Sequence, residues 1–263
     1  MTRHNKQCSG RPRGADTPVR FLDRKPFAIL LFCLALPLFL LGNSADDQPR
    51  VPSDVAWTHD TIELASSGDA FRGSLIAKSC AHCHGSEGFS SEPGIPNLAG
   101  IDRLSIWKQL QDFRSGKRYS PVMQPIAVEL SSRNDADVSA YFSMLPTFSD
   151  PQDNRVFPQA IPDPKTSRLA ENLIVFGDAH RGIPPCESCH GPVGFIRGAP
   201  SLATQNAGYL LEQLQHFAQG LRTNDIDEVM RIVSSQLTDE EKSAVSAYYG
   251  AGRGPSAPRP PIP

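Results

Sequence analysis

Two small helical domains in tandem are the architecture this sequence predicts, and three observations carry the prediction. Apolar residues recur at helical spacing in Ile106, Leu110 and Phe113, and again in Leu210, Leu214 and Phe217. The two sets lie at a constant offset of 104 residues, and around them Lys108-Gln109-Leu110-Gln111-Asp112-Phe113 aligns without a gap on Glu212-Gln213-Leu214-Gln215-His216-Phe217. A third pattern, C-x-x-C-H, also occurs twice, as Cys80-Ala81-His82-Cys83-His84 and Cys186-Glu187-Ser188-Cys189-His190. A repeat of about 105 residues is too long for a solenoid unit, so it predicts two similar domains.

Taken in order, the chain begins with seven basic and two acidic groups in residues 1–25, followed by an uncharged apolar run over 27–41. That is a positive n-region and an h-region. The run is short for a membrane span, which needs about 20 residues. A cleavable signal is favoured, with cut sites after Ser44 or Ala45, and an N-terminal membrane anchor remains the alternative for residues 1–45. Either way the rest is exported, with the basic n-region left in the cytoplasm. Without 1–45 the chain keeps 19 basic and 26 acidic groups, a net charge of −7. No basic stripe points to nucleic acid.

Residues 46–65 are expected to be an irregular spacer. The first domain spans 66–148. Phe71 and Leu75 suggest a helix running into Cys80, with a Gly/Ser/Pro-rich loop over 85–96 behind the motif. The Ile106 helix follows and stops at Arg114-Ser115-Gly116. A loop over 117–124 then carries Met123, and a last helix puts Val138, Tyr141, Phe142 and Leu145 on one face. A Pro-rich, semi-rigid linker occupies 149–165. The second domain, 166–250, opens with Leu169, Leu173 and Phe176 on a helix and closes with one carrying Val245, Tyr248 and Tyr249. Thr238 and Glu241 form a capping box at its start. The Gly/Pro-rich tail 251–263 is expected to be disordered.

C-x-x-C-H is the pattern of covalent c-type haem attachment. Two thiols one turn apart can each add across a vinyl group of one porphyrin, and the following histidine is carried beneath the iron. Given 6 Cys and 7 His in the chain, one copy would arise by chance roughly 0.004 times. Cys8 and Cys33 lie in the leader, so Cys80, Cys83, Cys186 and Cys189 are the four remaining cysteines. No thiol is left over for a disulfide framework. Two covalently bound haems are therefore expected, with His84 and His190 as proximal ligands.

Methionine on the open face gives a six-coordinate iron and a raised potential. Met123 follows His84 by 39 residues and Met230 follows His190 by 40. Matching places in a duplicated unit make both candidate distal ligands. Met144 has no counterpart and is assigned to core packing. His59, His82, His180 and His216 are assigned to the surface. Trp107 and Tyr209 either line haem or pack the core.

With these residues in view, the chain resembles the di-haem cytochrome c4 family, within the class I cytochromes c. The likeness rests on the first motif with Gly85, on Pro96-Asn97-Leu98-Ala99-Gly100, on 108–116, and on Pro121-Val122-Met123. In the second half it rests on Gly182-Ile183-Pro184-Pro185-Cys186, Cys189-His190-Gly191-Pro192, Leu221-Arg222-Thr223-Asn224-Asp225 and Met230. It covers roughly 66–250. The resemblance implies an all-α pair of class I domains, each wrapped around one His/Met haem. It also implies that Pro96 and Pro200, matched at the offset of 104, offer their carbonyls to the ligand histidines. The chain departs from the pattern where Leu98-Ala99-Gly100 becomes Leu202-Ala203-Thr204, in the loop 85–96, and in its long leader.

Six-coordinate iron leaves no place for substrate, so the first functional reading is a periplasmic electron carrier docking partners through a small transient surface. The resemblance implies a quinol–cytochrome c complex upstream and a terminal oxidase downstream. The alternative is an enzyme or its cytochrome subunit: a di-haem peroxidase, a thiosulfate-oxidising protein, or the acceptor subunit of a dehydrogenase. Thiol redox or zinc chemistry would leave the adjacent histidines and the paired methionines unexplained.

Overall fold

The computed structural model describes residues 52–146, 162–191, 196–203 and 205–252. In chain order they form α1 (His59–Ser66), α2 (Ala70–His84), α3 (Arg103–Arg114), α4 (Met123–Glu129) and α5 (Ser132–Met144). These are followed by α6 (Pro164–Val175), α7 (Glu187–His190), α8 (Ala207–Ala218), α9 (Val229–Gln236) and α10 (Asp239–Gly250). Among the described residues there is no strand, only an isolated antiparallel bridge between Asp178 and Ile183.

Polar side chains start most of these helices. Thr58, Asp69, Asp102, Ser131, Asp163 and Asn206 each accept a hydrogen bond from a first-turn N–H of α1, α2, α3, α5, α6 and α8. Thr238 and Glu241 form the expected reciprocal capping box on α10. Three helices start without such a cap: α4, α7 and α9. They carry Met123, the last four residues of the second C-x-x-C-H motif and Met230.

Two apolar cores define two lobes. In the first, Ile106, Leu110 and Phe113 of α3 pack with Ala77 of α2, Ala127 of α4, and Val138 and Phe142 of α5. In the second, Leu210 of α8 packs with Ala170, Leu173 and Ile174 of α6, with Ile183 and Leu237, and with Ala244, Val245 and Tyr249 of α10. Each buried large side chain contributes about 1.5–3 kcal/mol. The expected inward faces of α3, α5, α8 and α10 are therefore the ones buried.

Both opening helices form where expected, and Leu173 is buried, but other apolar residues on them face outward. Phe71 is 76% exposed, Leu75 53% and Phe176 73%. In α2 the inward residues are Gly73 and Ala77, two positions on and therefore about 200° round the helix. The reason is the close approach of α5. A Cβ on Gly73 would lie 2.0 Å from the Asp137 carbonyl oxygen, and one on Gly68 would lie 2.0 Å from that of Ala136. Met144, expected in the core, ends α5 at 69% exposure.

The expected spacer 46–65 is also corrected over its described part. It holds α1, and Val55, Trp57 and Ala65 pack with Trp107 and Ala136 in a small third core. The Ser53 hydroxyl donates to Asp112 at 2.6 Å, and Lys117 pairs with Asp54 at 3.1 Å. Apolar side chains at alternate places in a polar stretch were enough to fasten it. Of the expected linker, 149–161 lies outside the described residues, while Pro164 already begins α6. The leader 1–45, with the apolar run 27–41, lies outside them, as does the tail beyond 252. Among the described residues no helix is long and apolar enough to cross a membrane.

Candidate haem sites

The two motifs reach the same local geometry from different run-ins. In the first lobe Cys80, Cys83 and His84 are the last turns of α2, which Gly85 closes at φ +78°. A Cβ at Gly85 would strike the Phe89 carbonyl at 2.0 Å, so only glycine fits that exit. Behind it the chain folds back on itself. Leu98 N–H donates to the Gly88 carbonyl at 2.8 Å, Ser90 N–H to the Asn97 side chain at 2.9 Å, and Ser90 Oγ to the Cys83 carbonyl at 2.9 Å. In the second lobe Cys189 and His190 sit on the single turn of α7, with Cys186 just ahead of it.

Each histidine ends in the same bond. His84 Nδ1 donates to the Pro96 carbonyl at 2.8 Å, and His190 Nδ1 donates to the Pro200 carbonyl at 2.8 Å. A carbonyl only accepts, so Nδ1 carries the proton and Nε2 keeps its lone pair. Burial lowers both imidazole pKa values, against the opposing pull of the carbonyl bonds. Both rings are thus held neutral and aimed, the form in which imidazole binds metal. Cys80, Cys83, Cys186 and Cys189 are all free of disulfides. Burial raises the Cys80 thiol and pushes Cys186 up to about 11. These donor sets fit two covalently attached haems with nitrogen ligation.

Met123 is not in a loop, as expected, but opens α4, half-buried against the first core together with Cys80. The Ser120 hydroxyl accepts from the Met123 N–H at 3.1 Å. Met230 is the second residue of α9, half-buried. Asp225 anchors that helix, accepting from the Arg231 N–H at 2.9 Å and from its Nε at 2.8 Å. Asp227 and Glu228, just before it, take φ of 55° and 61°. Left-handed backbone at non-glycine residues costs about 1 kcal/mol or more each, and here it re-aims the chain into the methionine helix. His82 and His180 are exposed, His59 is 88% exposed by side chain, and His216 is half-buried.

A cluster between the lobes was missed at the level of motifs. Arg118 lies over the Phe113 ring at 4.7 Å and Arg222 over the Phe217 ring at 4.5 Å. Arg118 donates to Gln109 at 2.8 Å and across to Gln213 at 3.0 Å. Arg222 donates to Gln213 at 2.9 Å and across to Gln109 at 3.1 Å. All three pairs repeat at the offset of 104, and that offset was the available signal. Lys108 and Asp112, 3% and 1% exposed by side chain, pair at 2.5 Å, and Lys108 also donates to the Asn224 carbonyl at 2.6 Å. Tyr209 accepts from Arg118 at 2.8 Å. Burial raises its phenol, but Arg118 and Arg222 outweigh that and bring it below the usual value. Burial, with Arg118 beside it, pushes Arg222 down to about 10. Three cations, Lys108, Arg118 and Arg222, thus gather near one carboxylate, Asp112, at this contact.

No protein-family model matches the chain. It is 33% identical over 187 residues to cytochrome c4 of Pseudomonas aeruginosa, a match covering 70% of this chain and 88% of that protein. It is 39% identical over 176 residues to the thiosulfate dehydrogenase electron acceptor of Stutzerimonas stutzeri, covering 66% and 78%. Among solved structures, reduced cytochrome c4 from Pseudomonas stutzeri superposes with a TM-score of 0.62 at 33% identity over 71% of this chain and all of that one. A thiosulfate dehydrogenase from Marichromatium purpuratum superposes with a TM-score of 0.58 at 34% identity, over 68% of this chain and 39% of that one. The chain belongs to the di-haem cytochrome c4 family, all-α electron-transfer proteins with two covalently bound haem c groups.

Proposed function

We propose that this protein is a periplasmic electron carrier whose two haems are held by Cys80, Cys83, His84 and Met123, and by Cys186, Cys189, His190 and Met230. The paired His–Pro carbonyl bonds at 2.8 Å carry this reading, because they leave one nitrogen of each ring free for iron. Each haem supplies reversible one-electron exchange. The protein's part is to fix the ligand rings and exclude water, and Arg118 and Arg222 are the cations that would meet haem carboxylates at the lobe contact. The haem-bearing domains are 66–148 and 166–250, the first extended by α1 and the arm before it. The partners are redox proteins: a quinol–cytochrome c complex as donor and a terminal oxidase as acceptor, with 27–41 as the attachment to the membrane where the leader stays uncut. Replacing Met123 or Met230 by Ala is expected to remove the thioether-to-iron charge-transfer band of one haem and lower its potential, read by redox-resolved absorption. Met144→Ala should leave both bands. Loss of a band in Met144→Ala would reverse the assignment.

A second reading has its own support. The relative from Stutzerimonas stutzeri is described as the electron acceptor of a thiosulfate dehydrogenase, and the Marichromatium purpuratum neighbour is itself such an enzyme. Here the chain takes electrons from a thiosulfate-oxidising partner and turns over no substrate itself. Stopped-flow reduction by such a dehydrogenase with thiosulfate, set against reduction by quinol-oxidising membranes, separates the donors.

A further inference from the structure

We propose that Gln205, in the second lobe, is a positioning residue for the haem of the first. The Pro96 carbonyl that holds His84 belongs to the same planar amide as the Asn97 N–H. That N–H donates to Gln205 Oε1 at 2.7 Å, and Gln205 Nε2 donates back to the Asn97 carbonyl at 2.9 Å. Gln205 is 5% exposed and Asn97 8%. Oε1 also accepts from the Asn206 N–H at 2.8 Å, so the carboxamide is fixed at three points. The surrounding contacts hold the same loop. Asn206 Nδ2 donates to the Glu92 carbonyl at 3.0 Å, and a Cβ on Gly208 would lie 2.9 Å from the Pro93 carbonyl.

The bonds form one relay: His84 Nδ1–H to the Pro96 carbonyl, through its amide, and Asn97 N–H to Gln205. Hydrogen bonds in series polarise one another where water is excluded. Gln205 therefore makes the Pro96 oxygen a stronger acceptor and His84 a more basic ligand, which favours oxidised iron. The relay runs one way. At the offset of 104 the first lobe has Ile101, whose side chain has no polar atom to return the contact. This relay thus ties the first haem to the lobe contact and has no counterpart at the second, whose loop meets the first lobe through Trp57 and the Arg197 carbonyl instead.

The test replaces Gln205 in the full di-haem protein by Met, which keeps the length and loses both bonds, and by Glu, which strengthens the acceptor for the Asn97 N–H and loses the donor to the Asn97 carbonyl. Haem signals are assigned with the Met123→Ala and Met230→Ala variants. Gln205→Met should raise the first haem's potential, seen as a several-fold larger reduced fraction at fixed solution potential, and Gln205→Glu should lower it. The second haem stays in place in both. Exchange of the Asn97 amide hydrogen should quicken about tenfold or more in Gln205→Met. Shifts of the same sign in the two variants, a shift of the second haem, or an unmoved first haem would overturn the proposal. If Gln205→Met does not fold, the sign in Gln205→Glu decides. The proposal rests on His84 as proximal ligand. Were that reading wrong, His84→Ala would keep the first haem's spectrum while Asn97 exchange still answered to Gln205.

Discussion

The two lobes deliver the same five-residue motif by different means. In the first, α2 runs unbroken from Ala70 to His84, and its alignment is set by Gly73 against α5. In the second, α6 stops at Val175 and ten residues separate it from Cys186. Pro184 and Pro185 lack the N–H a helix needs. Gly177, at φ +66°, turns the chain where a Cβ would meet the Ile183 carbonyl at 2.3 Å. Asp178 and Ile183 then exchange bonds of 2.7 and 2.9 Å. Arg181 fastens the excursion, donating to Asp178 at 2.7 Å and to both oxygens of Glu241 at 2.9 and 2.6 Å. Glu241 is also half of the α10 capping box. What the lobes share is one turn carrying the thiols and a fixed carbonyl at the histidine. The helix leading in can be replaced by a loop, provided something rigid ties that loop down.

The largest expected effect breaks the first lobe at its helix crossing. Gly73→Ala puts a methyl 2.0 Å from a backbone oxygen, with no flexible atom to yield, and should cost more than about 3 kcal/mol. Denaturation followed at each haem should show the first lobe melting early. The next compares one aligned position in two settings. Lys108 is buried against Asp112, whereas its counterpart Glu212 is exposed. Lys108→Met removes the direct ion-pair partner of buried Asp112 and should cost about 3 kcal/mol or more, while Glu212→Met should stay within about 0.5 kcal/mol. Equal costs in urea unfolding would mean the lobe interface does not constrain the first lobe as described.

The smallest effect concerns the loop of the second lobe. Arg181→Ala should lower the midpoint of the second haem's unfolding transition and leave the first haem's in place. Its pH dependence has a definite sign. The bonds to Arg181 hold the Glu241 and Asp178 carboxyls below their ordinary values of 4.5 and 3.8. A carboxylate depressed on folding stabilises the fold above its ordinary value and loses that contribution as pH falls through the folded one. The second lobe should weaken from about pH 4.5 downward, and Arg181→Ala should flatten that slope. An unchanged slope would place the acid sensitivity elsewhere, with Asp137 held low by Arg72 as the corresponding pair in the first lobe.

Local patterns fixed much of this protein. The motif is a single turn, so Cys80, Cys83, His84 and their second copies are named by spacing alone. The duplication placed Met123 with Met230 and Pro96 with Pro200, and periodicity found the buried faces of α3, α5, α8 and α10. Tertiary structure decided what spacing leaves degenerate. Phe71 and Leu75 share a face, but the approach of α5 turned Gly73 and Ala77 inward instead. Val55 and Trp57 looked like spacer until Trp107 gave them a surface to cover. Gln205 and Asn97 stand 108 residues apart, and Lys108 and Asn224 stand 116 apart. Nothing periodic links such residues, because hydrogen bonds between lobes depend on where two finished folds meet. The sequence by itself determined which side chains could hold haem. The packing of one lobe on the other decided which of them are oriented from outside their own domain.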